Sequence, residues 1–171
     1  MNEPHRQIAA PCALVVGAIL GVAGTFSSSA SLRGLLWGID GVALVLAGAL
    51  LTIYYLGRRN NLVAAGFMVF VAGQSLVLST AATPLDSGGP VFGAGASLWA
   101  ASLILVSVPA VMPIWVRVVA TIAAVLFFVV AAQIFQGQPV DALSRPLPFF
   151  AYPFLAATMF GWAWAHFRPV A

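Results

Sequence analysis

Residues 91–135 read VFGAGASLWAASLILVSVPAVMPIWVRVVATIAAVLFFVVAAQIF, about 45 apolar residues interrupted by Pro109, Pro113 and Arg117. A hydrocarbon core about 30 Å thick is crossed by roughly 20 residues of α-helix, so one continuous helix of this length overshoots any bilayer. A proline inside a helix removes a backbone hydrogen bond and clashes with the preceding turn. The two prolines therefore divide the stretch into two crossings, 92–110 and 114–135. Within lipid, such segments satisfy their backbone only by coiling into helices.

Outward from this stretch the pattern repeats. Apolar runs at 8–26, 35–56, 62–82 and 149–167 are separated by serines at 27–29, by Gly57, Arg58, Arg59, Asn60 and Asn61, by the turn-rich 83–90 and by the polar 136–148. Six spans use about 120 residues and leave about 50 for loops. The expected fold is an all-α integral membrane protein: one transmembrane domain, 1–171, a bundle of about six helices. Composition agrees, with 62% hydrophobic residues, 6% charged residues and a mean hydropathy of +1.04. Ser28 and Ala30 resemble a signal-peptide cleavage site, but the preceding run exceeds the 7 to 15 residues usual for a signal core, and a retained first helix is expected.

All seven basic residues are arginines, scattered along the chain, and the pI is near 9.8. Without a basic patch interleaved with aromatics, nucleic acid is not an expected partner. The bilayer is, and other membrane subunits or self-association are compatible with the apolar surface. The Ala-, Gly-, Val- and Arg-rich composition without lysine points to a GC-rich bacterial genome, hence to a bacterial inner membrane. Positive loops stay cytoplasmic. With the N-terminus inside, Arg6, Arg58, Arg59, Arg117 and Arg168 face the cytoplasm while Arg33 and Arg145 face out, so both termini are expected inside and Asp86 and Asp141 outside. Trp37, Trp115, Trp162 and Trp164 are then expected at the two interfaces.

Helices associate in lipid by close packing at small residues. Stripes of these run along the first span (Ala10, Ala13, Gly17, Gly21, Gly24, Ser28), the second (Gly34, Gly38, Gly41, Gly48, Thr52) and the third (Gly66, Gly73, Thr80), so these three spans are expected to form a tightly packed subgroup. Leu36-Trp37 and Leu98-Trp99, 62 residues apart, suggest a parallel duplication, on too short a match to carry weight.

Asp40 is the one ionisable residue placed well inside a span, about six residues or roughly 9 Å from its outer end. An acid at the centre of a membrane helix costs about 2.5 to 3.5 kcal/mol, so Asp40 calls for a partner or water. Arg33, seven residues earlier on nearly the same face, and Arg145 are the candidate partners. Gln74, Ser75, Ser97, Ser102, Gln133 and Tyr152 fall in the same outer half and complete a candidate polar or ion site of Asp40, Gln74, Arg33, Arg145 and Gln133. The functional expectation is binding or transport of a small solute or ion through that outward-facing site. The alternative is a structural or accessory subunit of a larger membrane complex, with an Asp–Arg pair fixing helix register.

Other chemistries find no residues. Cys12 is the only cysteine and is expected to be a buried, inert thiol. His5 and His166 are not placed to hold a haem between them, no lysine is present to bind retinal, and the spans offer no nucleophile with its base. No phosphate loop or metal motif appears and no cofactor is expected; an enzyme acting on lipid or quinone ranks third, behind the solute site and the accessory subunit. Pro153 is expected to kink the sixth span.

Overall fold

The computed structural model describes residues 4–81 and 89–167, with side chains from residue 8 onward. Six helices run in order: α1 (Pro4–Phe26), α2 (Ala30–Gly57), α3 (Asn61–Thr80), α4 (Gly89–Ser107), α5 (Ile114–Phe135) and α6 (Tyr152–Phe167). There is no strand among the described residues. The first five helices are long and apolar enough to cross a membrane. Large side chains such as Ile19, Val125 and Phe128 point outward from them, which suits lipid and not water.

Each helix packs against its neighbours in sequence, and α6 closes against α1, so the bundle is a ring. Successive helices run antiparallel. One end, here the Arg58 end, holds the start of α1, the α2–α3 and α4–α5 turns and the end of α6. The Ser29 end holds the α1–α2 turn, the end of α3, the start of α4 and the segment joining α5 to α6.

The turns follow from local chemistry. Ser29 caps α2 by accepting from the Leu32 amide at 3.3 Å. This cap starts α2 five residues before the expected 35. At the other end of α2, Arg59 adopts a left-handed backbone (φ 57°), with Asn60 N–H donating to the Tyr55 carbonyl and Arg59 N–H to that of Leu56. That pair of bonds is a Schellman motif, which ends α2 within one turn. Asn60 then caps α3 through its side-chain oxygen. Helix α5 has the expected bounds, whereas α4 stops at Ser107 and not 110. The residue before Pro109 is driven out of helical conformation, and Arg117 donates to the freed carbonyls of Ser107 and Val108.

The sixth span differs most from expectation. Residues 149–151 belong to a series of turns, and α6 begins at Tyr152, leaving 16 residues, about 24 Å. Pro153 lies in its first turn, where a missing N–H costs nothing, so it starts the helix and does not kink it. Two further expectations fail for a shared reason: residues two apart on a helix point about 200° apart. Cys12 is exposed because Ala10 and Leu14 take the buried face. Trp162 is wholly buried, leaving Trp164 on the surface, where it meets Trp115 edge to face at 5.9 Å. Asp86, Arg168 and the expected end of the third span at residue 82 lie outside the described residues.

The small-residue stripes hold the ring together, though each faces the next helix instead of a common centre. A Cβ on Gly17 would come within 2.5 Å of Leu44, and one on Gly24 within 2.7 Å of the Trp37 ring, so α1 admits α2 only as glycine at these positions. Gly41 and Gly48 meet Leu78 and Val71 of α3, and Gly66 meets Val106 of α4. At Gly73 and Gly95 a Cβ on either would lie 3.0 Å from the other's carbonyl oxygen, so here the backbones of α3 and α4 touch. The first three helices are thus not a separate subgroup. Gly38, part of the expected stripe on α2, has nothing within 4 Å.

Towards the Arg58 end the ring is filled by aromatics. Trp162 meets Phe67 and Phe70 of α3 at centroid distances of 4.9 and 5.7 Å, and Phe67 stacks on Tyr55. Towards the Ser29 end the interior is hollow.

Candidate functional site

Most hydroxyl groups in the helices are satisfied by their own backbone one turn earlier: Thr25 donates to the Gly21 carbonyl, Thr52 to Gly48 and Thr158 to Phe154. Five buried side-chain atoms have no hydrogen-bond partner among the described residues: Asp40 Oδ1, Gln74 Oε1, Trp99 Nε1, Ser102 Oγ and Trp162 Nε1. A buried polar group left unpaired costs about 1–3 kcal/mol. Three of the five residues, Asp40, Gln74 and Trp99, line one cavity of about 60 Å³. A water needs roughly 10–15 Å³ by the same measure, so there is room for several.

The cavity exists because α1 is thin where α2 crosses it. Trp37, Asp40 and Leu44 lie at i, i+3 and i+7 on one face of α2 and pack on Gly24, Gly21 and Gly17. Both Asp40 oxygens rest against this glycine face, where a Cβ on Gly17 would lie 3.2 Å from Oδ1 and one on Gly21 3.1 Å from Oδ2. Trp37 is fixed by donating its indole N–H to the Gly21 carbonyl at 3.3 Å. Because α2 starts at Ala30, Asp40 lies ten residues, about 15 Å, into the helix and not the 9 Å expected. Gln74, 2% exposed, comes from α3 and Trp99, 4% exposed, from α4. Tyr152, Leu155, Ala156 and Met159 of α6 form the facing wall. Helix α5 contributes no lining residue but supports it: Phe127 meets Trp99 at 5.1 Å and Tyr152 at 5.7 Å.

No known protein family, curated protein or solved structure matches this chain.

Of the five residues expected to form the site, Asp40 and Gln74 share the cavity. The other three stand apart. Arg33 donates to the Ser27 carbonyl at 3.2 Å and lies 5.8 Å from the Trp37 ring; Arg145 lies over the Phe149 ring at 4.3 Å; Gln133 is half-buried on α5. Neither arginine pairs with Asp40. Ser75 is exposed and bonds the Val71 carbonyl, Ser97 bonds that of Ala94, and Ser102 is buried elsewhere, so of the remaining outer-half residues only Tyr152 reaches the cavity. Trp99 was not anticipated, because its role depends on which face of α4 turns inward. The cavity can stabilise positive charge, having a carboxyl group, an amide oxygen and aromatic rings and, among the described residues, no cationic side chain in its lining.

A second polar group sits at the Arg58 end. His166 Nδ1 lies 2.6 Å from the Trp162 carbonyl, which only accepts. In the neutral ring Nδ1 therefore carries the proton, and Nε2 accepts from the Tyr55 hydroxyl at 3.0 Å. The Arg58 guanidinium lies over the Tyr54 ring at 4.5 Å. Sequence parity contained the signal, since Tyr54-Tyr55 closes the second span and His166 the sixth, and even-numbered spans end on the same side.

Proposed function

We propose that this chain is a polytopic bacterial inner-membrane protein that binds, and passes across the bilayer, a small solute or ion at the cavity around Asp40. In this reading the chain crosses six times, with both termini in the cytoplasm. Arg58, Arg59 and Arg117 share the end where α1 begins, while Arg33 and Arg145 lie at the other. The Arg58 end is then cytoplasmic and the cavity lies in the outer half. Helix α6, with the turns from Phe149 onward, makes the sixth crossing. The observation that carries the functional reading is Asp40 itself: a carboxylate inside an apolar bundle, facing a cavity, with no ion-pair partner among the described residues. Intramembrane acids of this kind belong to ion and solute pathways, because their cost is met by what they bind.

The test uses the single native thiol. In a Cys12→Ala background, Ala156→Cys places a thiol on the cavity wall. A small water-soluble methanethiosulfonate is expected to modify it in the folded protein in lipid vesicles. No modification, with full reaction after unfolding, would overturn the solute-site reading and leave Asp40 as an element of register in an accessory subunit.

A further inference from the structure

The ligand class follows from what the cavity offers and what it lacks. An anion is disfavoured, because no cationic side chain among the described residues lines the cavity to receive it. A divalent metal ion is a poor fit. Calcium takes 6–8 oxygens and magnesium demands octahedral geometry, whereas among the described residues the lining acids amount to Asp40 alone and no group of three or more metal-ligating His, Cys, Asp or Glu exists. A strongly hydrated alkali ion gains little from walls that are mostly apolar.

A small organic ammonium matches every feature. Its charge meets Asp40, an N–H donates to the unpaired Gln74 Oε1, and its alkyl groups lie against Trp37, Trp99 and Tyr152, rings that attract cations electrostatically. Gln74 gives independent support, being 2% exposed with an acceptor unpaired beside the cavity. Size narrows the class further. A dry cavity of about 150 Å³ holds benzene, so one of about 60 Å³ takes a head group of two to four heavy atoms. We infer that the cavity binds a small alkylammonium of methyl- to dimethylammonium size, held by Asp40 and Gln74 between the rings of Trp99, Tyr152 and Trp37. This inference rests on the solute-site reading of the same cavity. Phe127 is a positioning residue, since it holds two of the three rings without lining the cavity.

The experiment titrates dimethylammonium chloride into the full chain in lipid nanodiscs and follows tryptophan fluorescence at constant ionic strength, with sodium chloride and 2-propanol as controls. A saturable change with a dissociation constant on the order of 1 mM is expected for so few atoms. Binding should weaken at least tenfold in Asp40→Asn and about fivefold in Trp99→Leu, with no saturable response to sodium or 2-propanol. Equal binding of 2-propanol or sodium, or unchanged affinity in Asp40→Asn, overturns the ammonium assignment. If Asp40→Asn does not fold, protection decides: dimethylammonium but not sodium must slow modification of Ala156→Cys, and absence of protection overturns the assignment. Modification without ammonium binding defeats this inference alone; absence of modification defeats the solute-site reading beneath it.

Discussion

The two halves of the bundle are built from the same six helices and solve the same packing problem in opposite ways. At the Arg58 end, large rings fill the ring of helices and the half-buried histidine has both nitrogens partnered: Trp162, Phe67 and Phe70 interlock, and Tyr55, His166 and the Trp162 carbonyl form a chain of hydrogen bonds. At the Ser29 end, glycines let the helices approach along their edges, the middle stays open, and atoms of an acid, an amide and an indole have no hydrogen-bond partner among the described residues. Polar groups that find each other are structural, and the unpaired ones that line the hollow half are open to a ligand; the buried Trp162 Nε1 of the filled half is also unpaired but lies outside that lining. The contrast lies in whether an unpaired group borders open space.

Substitutions test this division in order of expected size. Trp162→Ala empties the filled half and should cost about 3–5 kcal/mol, measured by reversible unfolding in mixed detergent micelles. A small effect would show that the aromatic plug carries little of the stability. Gly17→Ala forces a methyl against Leu44, which is 2% exposed and has little room to yield. It should cost about 1–3 kcal/mol and shrink the cavity, so that modification of Ala156→Cys slows. Tyr55→Phe leaves His166 Nε2 without its donor and should cost about 1–2 kcal/mol in the same assay, while leaving the Ala156→Cys reaction unchanged. If that reaction also changes, the two halves are coupled. Gly38→Ala, with nothing within 4 Å of its new methyl, should raise stability by about 0.5–1 kcal/mol through helix propensity alone. A loss would reveal a partner on that face.

The fold was legible where periodic composition decides it. Six apolar runs predicted six helices, and the prolines at 109 and 113 placed the start of α5 at Ile114. Ends set by a single side chain were less legible: the Ser29 cap lengthened α2, and the Arg117 guanidinium closed α4 at Ser107. Asp40 and Gln74 stood out as polar residues within greasy spans, and span parity placed them at one depth. Their expected partners did not follow, because a guanidinium binds the nearest free acceptor. For Arg33 that is the Ser27 carbonyl, exposed by the turn between α1 and α2, and not an acid two turns further down. Facing was the hardest to read. In chains this apolar, hydrophobicity does not distinguish the inside of a helix from its lipid side, which is why Cys12 and Trp162 exchanged their expected environments.

The closure of α6 on α1 brings the start of the first helix beside the end of the last, at the same end of the ring. Continuity of the chain at any one turn is then a matter of order of synthesis more than of architecture. A circularly permuted chain that links these two helices and opens at the Arg58–Asn60 turn would keep all six helix–helix seams, and with them the hollow half and its acid.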